Sequence, residues 1–364
     1  MPRMAEDVRL RVVQVGFGGA GKVWYRRVYP SFPGVVTVGC VDRDAELRRR
    51  LQNDEEFAGE RWFATLSEAL ATVDADAVMV AAHLEGHVPV VREALEAGKH
   101  VIVEKPFTRH VEEAKALADL AEERKLTLVV GQNYRFFPAV YTVASLLEEG
   151  RMGPVGAVRI DFRHEIGFQR TADHKHARLE HPLLVDMAVH HFDLLRMLLR
   201  HDPTSVHCTT FNPPWSVYRD PPSAFATMVF PAEAGGSAEA AKRGRSDIVV
   251  SYRGSWMSHT ERTPWSGLWE IECERGTILW QGRASAGDLS ADRVTIRRYD
   301  GSTEEVPLVS LEHVDRAGAF QAFLRAIEGG GDPGCSGRDN VGTIAFMNAM
   351  IESAELGRAV TPRR

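Results

Sequence analysis

The sequence predicts an α/β protein: an N-terminal, doubly wound parallel sheet, then a C-terminal domain with a mostly antiparallel sheet. Three observations carry this. Continuous apolar runs alternate with helical segments through residues 10–130; a glycine-rich turn, GFGGAG, closes the first run; and from about residue 151 strand-like segments follow one another with little helix between them. A chain of 364 residues exceeds what one core normally supports. The change of texture places the first domain over residues 1–130 and the second over residues 131–364, with the last helices expected to pack back on the first domain.

Each element has its own signal. RLRVVQVGF is a β-rich run, GKVWYRRVYPSF a helix and GVVTVGCVD a second strand. LSEALATVDA is a short helix, for which Ser67 is the expected N-cap. DAVMVAA is a buried strand, HVPVVREALEAG a helix closed by Gly98, and KHVIVEKP a further strand. RHVEEAKALADLAEERK has amphipathic helical spacing, and LTLVVGQ returns to strand. Strands this uniformly apolar are covered on both faces, as in a parallel sheet. In the second domain GAVRIDFRHEI, SVHCTTF, SAFATMVF, SDIVVSYRG, LWEIECERGTILW and DRVTIRRYD are successive strand candidates. PLLVDMAVHHFDLLRMLL (Pro182–Leu199) is the notable helix among them, and AGAFQAFLRAI and NVGTIAFMNAMIESAEL return the tail to helix. Pro231–Asp247, small and polar, reads as a mobile loop. The tryptophan-rich GSWMSHTERTPWSGLW suits either a pocket lining or a subunit contact.

Composition narrows the class. Apolar side chains make up 44% of the chain and charged ones 26%; 44 basic against 50 acidic residues give a net charge of −6 with no block of like charge. That balance argues against nucleic-acid or anionic-membrane partners. The N-terminus lacks the apolar core of a signal peptide, and no run is long enough to span a bilayer. The four cysteines stand far apart with no CxxC pair and read as free, mostly buried thiols, which points to a cytoplasmic protein.

VVQVGFGGAGK sets Gly16, Gly18 and Gly21 in GxGxxG spacing, directly after a strand and opening a helix. Glycines there allow a tight turn, close approach of backbone to a pyrophosphate, and helix–strand packing, while the helix start offers N–H groups to the anion. Gly16, Phe17, Gly18, Gly19, Ala20 and Gly21 are therefore candidate cofactor contacts. Asp42, about 20 residues past the last glycine at the end of the second strand, suits the adenosine ribose of NAD. Arg43 beside it could instead hold a 2′-phosphate, so NADP stays open.

KHVIVEKPF ends its strand in Glu104, Lys105 and Pro106, at the sheet edge where doubly wound proteins place ligands. A lysine there can polarise a substrate oxygen, although such a lysine alone is more often a surface residue. In Pro182–Leu199, Asp186, His190 and Asp193 are spaced by four and three residues and fall within about 60° on a uniform α-helix, with His191 on another face. Taken alone, Asp186 and His190 read as a buried structural pair; His191 and Asp193 are each read as structural.

Taken together, GxGxxG, EKP, GQNYRFFP, GPVGAVR and DMAVHHFD resemble the Gfo/Idh/MocA oxidoreductases, in order and over nearly the whole chain. The resemblance implies an N-terminal Rossmann domain, a C-terminal α/β domain with a large open sheet, and NAD(P)-dependent oxidation or reduction of sugars, cyclitols and related polyols, with Lys105, Asp186 and His190 as the catalytic set. It adds Ala82, His83, His87, Glu104, Lys105 and Asn133 to the cofactor contacts. Where the family has a TPN-like turn followed by histidine, this chain reads AAHLEGH, keeping His87 but carrying Ala82 and His83; EHPLLVD replaces the glycine-rich run before the aspartate. Arg163 and His164, closing a strand upstream, are candidate substrate contacts with Lys105, Asp186 and His190. DHKHARLEH adds Asp173, His174, His176 and His181, but the spacings match no compact ligand set, so no metal is expected; Asp173, His174, His176 and Arg178 read as a substrate loop or solvated.

The expected chemistry is hydride transfer at a secondary alcohol: His190 is the general base, Lys105 polarises the oxygen, and Asp186 binds a neighbouring hydroxyl or orients His190. Which of Lys105 and His190 takes the proton is left open. Two rivals use the same fold, a non-catalytic NAD-binding regulator and an NAD-dependent glycoside hydrolase. A homodimer or homotetramer is expected.

Overall fold

Six parallel strands form one sheet in the computed structural model, which describes residues 9–165, 175–231, 247–285 and 288–364. They are β1 (Leu10–Val15), β2 (Val35–Val41), β3 (Trp62–Phe63), β4 (Ala77–Val80), β5 (His100–Val103) and β6 (Leu128–Val130), in spatial order β3-β2-β1-β4-β5-β6. β4 and β6 are buried at every residue and β5 at all but His100, as strands covered on both faces must be. The chain runs outward from β1 to β3 and then returns to β4, so the order reverses between β1 and β4. That reversal is where such sheets open a crevice at their carboxyl ends.

The covering helices are α1 (Gly19–Val23), α2 (Ala45–Gln52), α3 (Leu66–Thr72), α4 (Leu84–Glu96) and α5 (Val111–Glu123). Two depart from the sequence reading. GKVWYRRVYPSF is helical but not uniformly α: α1 widens into a π turn over Trp24–Val28 and tightens into a 3-10 turn at Tyr29–Ser31. The Gln14 amide donates to the Gly21 carbonyl (2.8 Å), drawing on an acceptor of the helical ladder just before the widening. α3 begins two residues earlier than Ser67 allows: Thr65 is the N-cap, its hydroxyl accepting from the Glu68 N–H, and Glu68 returns to the Ala64 N–H. Ser67 sits inside the helix and donates to Glu93 instead.

The second sheet has eight strands: β7 (Val155–Arg163), β8 (Ser205–Phe211), β9 (Ser223–Phe230), β10 (Ile248–Ser255), β11 (Leu268–Cys273), β12 (Gly276–Gln281), β13 (Arg293–Arg297) and β14 (Thr303–Val306). Their order is β14-β13-β12-β11-β7-β10-β9-β8, and β7–β10 is the parallel pair among otherwise antiparallel neighbours. Alternate residues such as Val158, Ile160 and Phe162 on β7 are buried. α6 (Pro138–Glu148) lies over β12 and β13, and a π turn over Leu183–Ala188 leading into α7 (Val189–Leu199) lies over β9 and β10. The opposite face is open, with Phe211, Phe225 and Val249 exposed on it. Trp256 and Trp269 of the tryptophan-rich segment are core residues, each 1% exposed, rather than a pocket lining or subunit contact.

The chain ends in α8 (Asp315–Ile327) and α9 (Gly337–Leu356). Two compact units result, residues up to Phe136 with Glu312–Ile344, and Phe137–Leu311 with Ala345–Arg363. Phe320, Phe323 and Leu324 of α8 belong to the first unit's core beside Trp24, Tyr29 and Phe32. Residues 232–246 of the expected mobile loop, and Asp173 and His174, lie outside the described residues. Among the described residues no helix is long and apolar enough to cross a membrane, and no cluster of His, Cys, Asp or Glu is placed to hold a metal ion.

Candidate active site

The glycine turn is built by steric exclusion. Gly16 has φ 93°, and a Cβ there would stand 2.6 Å from the Ala81 carbonyl; one on Gly21 would stand 2.0 Å from the Gly16 oxygen. Gly18 and Gly19 are exposed, and a Cβ on either would meet nothing within 4 Å. The turn is thus packed tightly behind and open in front, which fits a dinucleotide whose phosphates approach the backbone at the start of a helix. Ala20 is the first residue beyond this open stretch and is half-buried.

Phe17 takes no outward part through its ring, which is fully buried against Tyr25, Phe57 and Trp62. Its N–H donates to Asp42 Oδ2 (2.8 Å), while Asp42 Oδ1 accepts from the Asp44 N–H (3.0 Å). Asp42 is therefore fixed in orientation beside the turn, and Arg43 next to it is exposed.

At the end of β4, Ala82 is half-buried and His83 is exposed, at the N-cap position of α4. His87 is buried, with Nδ1 2.9 Å from the Pro106 oxygen and Nε2 3.1 Å from the Ala82 oxygen. Burial lowers its pKa despite those carbonyls, so the ring is a brace between the two strand ends.

Glu104 points into the unit. It is 5% exposed, and its Oε1 accepts from Trp24 Nε1 (2.7 Å) and from Arg316 Nε (2.7 Å). Burial pushes its pKa up, but the Arg316 charge and the hydrogen bonds from Arg316 and Trp24 outweigh burial and hold it below the usual carboxylate range. Lys105, the next residue, is half-buried. Asn133 is buried and donates to Asp315. Sequence reasoning missed Arg316, Asp315, Trp24 and Gln14. Gln14 did carry a signal, an amide inside an apolar strand; Arg316, 212 residues from Glu104, carried none.

In the second unit Asp186 lies in the π turn and His190 in α7, so the uniform spacing of about 100° per residue does not hold across them. Asp186 keeps 28% of its side chain exposed and sits 3.8 Å from His176 Nδ1. His190 is 4% exposed. His191 is fully buried, its Nδ1 3.2 Å from the Tyr252 hydroxyl, and burial drives its pKa to about 3. Asp193 is buried as well.

Arg163 donates to Asp161 (3.1 Å) and to Glu261 (2.9 Å), and the Glu261 hydrogen bond raises its pKa further. His164 is buried among Phe162, Trp256 and Trp265, with Nε2 3.4 Å from the Pro264 oxygen and a pKa lowered by burial. The structure ties both into the sheet end.

Known proteins resemble this chain in sequence and fold. Residues 10–132 match the profile of the "Oxidoreductase family, NAD-binding Rossmann fold", and residues 140–279 that of the "GFO/IDH/MocA C-terminal domain". The first unit is an NAD-binding Rossmann unit. D-apiose dehydrogenase of Paraburkholderia graminis is 27% identical over 90% of this chain and 83% of its own length. Inositol 2-dehydrogenase of Rhizobium meliloti is 24% identical over 82% and 84%. Among solved structures, an oxidoreductase from Agrobacterium radiobacter in complex with NAD+, L-tartaric acid and magnesium superposes with a TM-score of 0.77 at 22% identity, over 97% of this chain and 98% of that one.

Proposed function

The chain belongs to the Gfo/Idh/MocA oxidoreductase family, and from that premise we propose that it transfers hydride between NAD and a secondary alcohol or ketone of a sugar, cyclitol or related polyol. The observation that carries this reading is the placement of the open Gly16–Gly21 turn and Lys105 at the carboxyl edge of one parallel sheet, after β1 and β5. Dehydrogenases of D-apiose and inositol among the relatives support the substrate class.

The nicotinamide nucleotide supplies the hydride acceptor, or the donor in reverse. The rest falls to the chain's own side chains. Lys105 binds the reacting oxygen and stabilises negative charge developing on it. His190 takes the hydroxyl proton, an imidazole being suited to proton transfer near neutral pH. Asp186, partly exposed one turn earlier, accepts a hydrogen bond from a neighbouring hydroxyl. Asp42 receives the ribose hydroxyls and disfavours a 2′-phosphate, which makes NAD the preferred form. Arg163 and His164, anchored at the end of β7 by Asp161, Glu261 and the neighbouring aromatic rings, shape that end of the sheet and are given no direct contact with substrate.

The four cysteines are buried free thiols, which fits a cytoplasmic protein. The open face of the eight-stranded sheet, where Phe211 stacks on Phe225 at 5.6 Å, suits a homodimer or homotetramer. Light scattering of the purified chain tests this.

A panel of inositols, aldoses, keto-sugars and aryl glycosides offered with NAD+ tests the function. Net NADH with stoichiometric ketone is expected, and Lys105→Ala should cut turnover by roughly 10³-fold at unchanged NAD+ affinity. Glycoside cleavage without net NADH would make it a hydrolase; NAD+ binding without any turnover would make it a regulator.

A further inference from the structure

Two adjacent residues at the start of α8 each reach a different strand end of the parallel sheet. Asp315 accepts a hydrogen bond from Asn133, which follows β6, and Arg316 donates to Glu104, which follows β5. Asp315 holds φ 59°, a left-handed conformation that costs a non-glycine residue free energy. Local strain of this kind persists where surrounding contacts impose it, and here the two contacts are those to Asn133 and Glu104.

The Glu104–Arg316 pair is well sheltered, the carboxylate side chain 7% and the guanidinium side chain 22% exposed. Trp24 completes it: the π turn seats its indole so that the N–H shares Glu104 Oε1 with Arg316. The remaining oxygen, Oε2, accepts from the backbone N–H of Lys105 at 3.3 Å. One carboxylate therefore joins the helix after the phosphate turn, the returning helix α8 and the backbone of the lysine. Holding a sheet together rarely calls for a sheltered ion pair, since an apolar contact of similar volume often packs as well without desolvating two charges.

We propose that Arg316 is a positioning residue for Lys105, acting through Glu104: it fixes the carboxylate against Trp24 and neutralises it, so that Lys105 is presented to the substrate oxygen rather than drawn to its neighbour. The inference rests on the role assigned above to Lys105. It gives the segment Glu312–Ile344 a part in the reaction, although it lies far along the chain from the strand it serves.

The test is trace acylation of the full chain, loaded with NAD+, by acetic anhydride. Labelling of Lys105 is read by mass spectrometry as a ratio to Lys115, an exposed lysine on α5. Arg316→Met leaves Lys105 as the remaining nearby positive charge for Glu104 and should lower the ratio at least threefold. Glu104→Gln removes the nearer counter-charge of Arg316, leaving Asp315 at 4.0 Å, and should raise it at least threefold. Arg316→Lys, which keeps the charge, should stay within twofold of wild type. A merely structural loss would move the first two variants in the same direction. That result, or any pattern other than opposite shifts, overturns the proposal. Should Arg316→Met not fold, Glu104→Gln and Arg316→Lys decide it, a missing rise in the former being fatal. If no polyol is oxidised by the wild type, the functional reading falls while the labelling ratios still judge this one. With a substrate in hand, Arg316→Met should lose kcat at least tenfold with KM and NAD+ affinity within twofold of wild type.

Discussion

The turn Gly16–Gly21 and the helix Pro182–Leu199 solve opposite problems. In the turn side chains are either absent or, like Phe17, turned inward, which leaves the backbone to meet a ligand. In the helix the backbone only carries side chains, and adjacent residues have different fates: His190 is assigned to chemistry while His191 is sealed against Tyr252. A backbone site is specified by what must be missing, whereas a side-chain site is specified by where a helix happens to aim.

The sharpest way to break that contrast is within the turn itself. Gly21→Ala forces a Cβ to 2.0 Å from the Gly16 oxygen and should cost about 3 kcal/mol of stability along with NAD+ binding. Gly18→Ala meets no protein atom within 4 Å, so stability should stay within about 0.5 kcal/mol while NAD+ affinity falls roughly tenfold. Calorimetric titration and thermal melts separate the two; unchanged NAD+ affinity in Gly18→Ala would mean the nucleotide does not approach there.

His191 gives the next largest effect. Burial holds its pKa to about 3, below an unfolded value of about 6.5, so the unfolded chain takes up the proton first. Its contribution is complete above about pH 6.5 and is lost as pH falls toward 3, by on the order of 1 kcal/mol per pH unit. Urea unfolding between pH 7 and 5 should therefore show a slope that His191→Leu reduces. An identical slope in the variant would show that His191 stays neutral in both states or is not sealed.

The smallest effect lies at α3. Thr65→Ala should cost about 1 kcal/mol through the lost cap, and Ser67→Ala less than about 0.5 kcal/mol; the reverse order would restore Ser67 as the cap.

The same contrast explains what could be read in advance. Both sheets and the glycine turn follow from periodicity and spacing, which are local properties, whereas the order of strands within each sheet does not. The cap of α3 was misassigned by two residues because Thr65 and Ser67 are both competent acceptors, and only the helix start distinguishes them. The π turns over Trp24–Val28 and Leu183–Ala188 were not legible, since an apolar helical pattern has nearly the same period in either form. Glu104 could be picked out by its motif but not its direction, because Arg316 reaches it from a helix remote in sequence. Arg163 likewise looks available until Asp161 and Glu261 are seen to hold it.

The most direct test of the division between a backbone that holds the cofactor and side chains that work on substrate is His190→Ala, assayed for turnover and NAD+ affinity in one preparation. Turnover should fall on the order of 10²–10⁴-fold with NAD+ affinity within about twofold. Turnover equal to wild type, or joint loss of both quantities in a folded protein, would contradict the assignment.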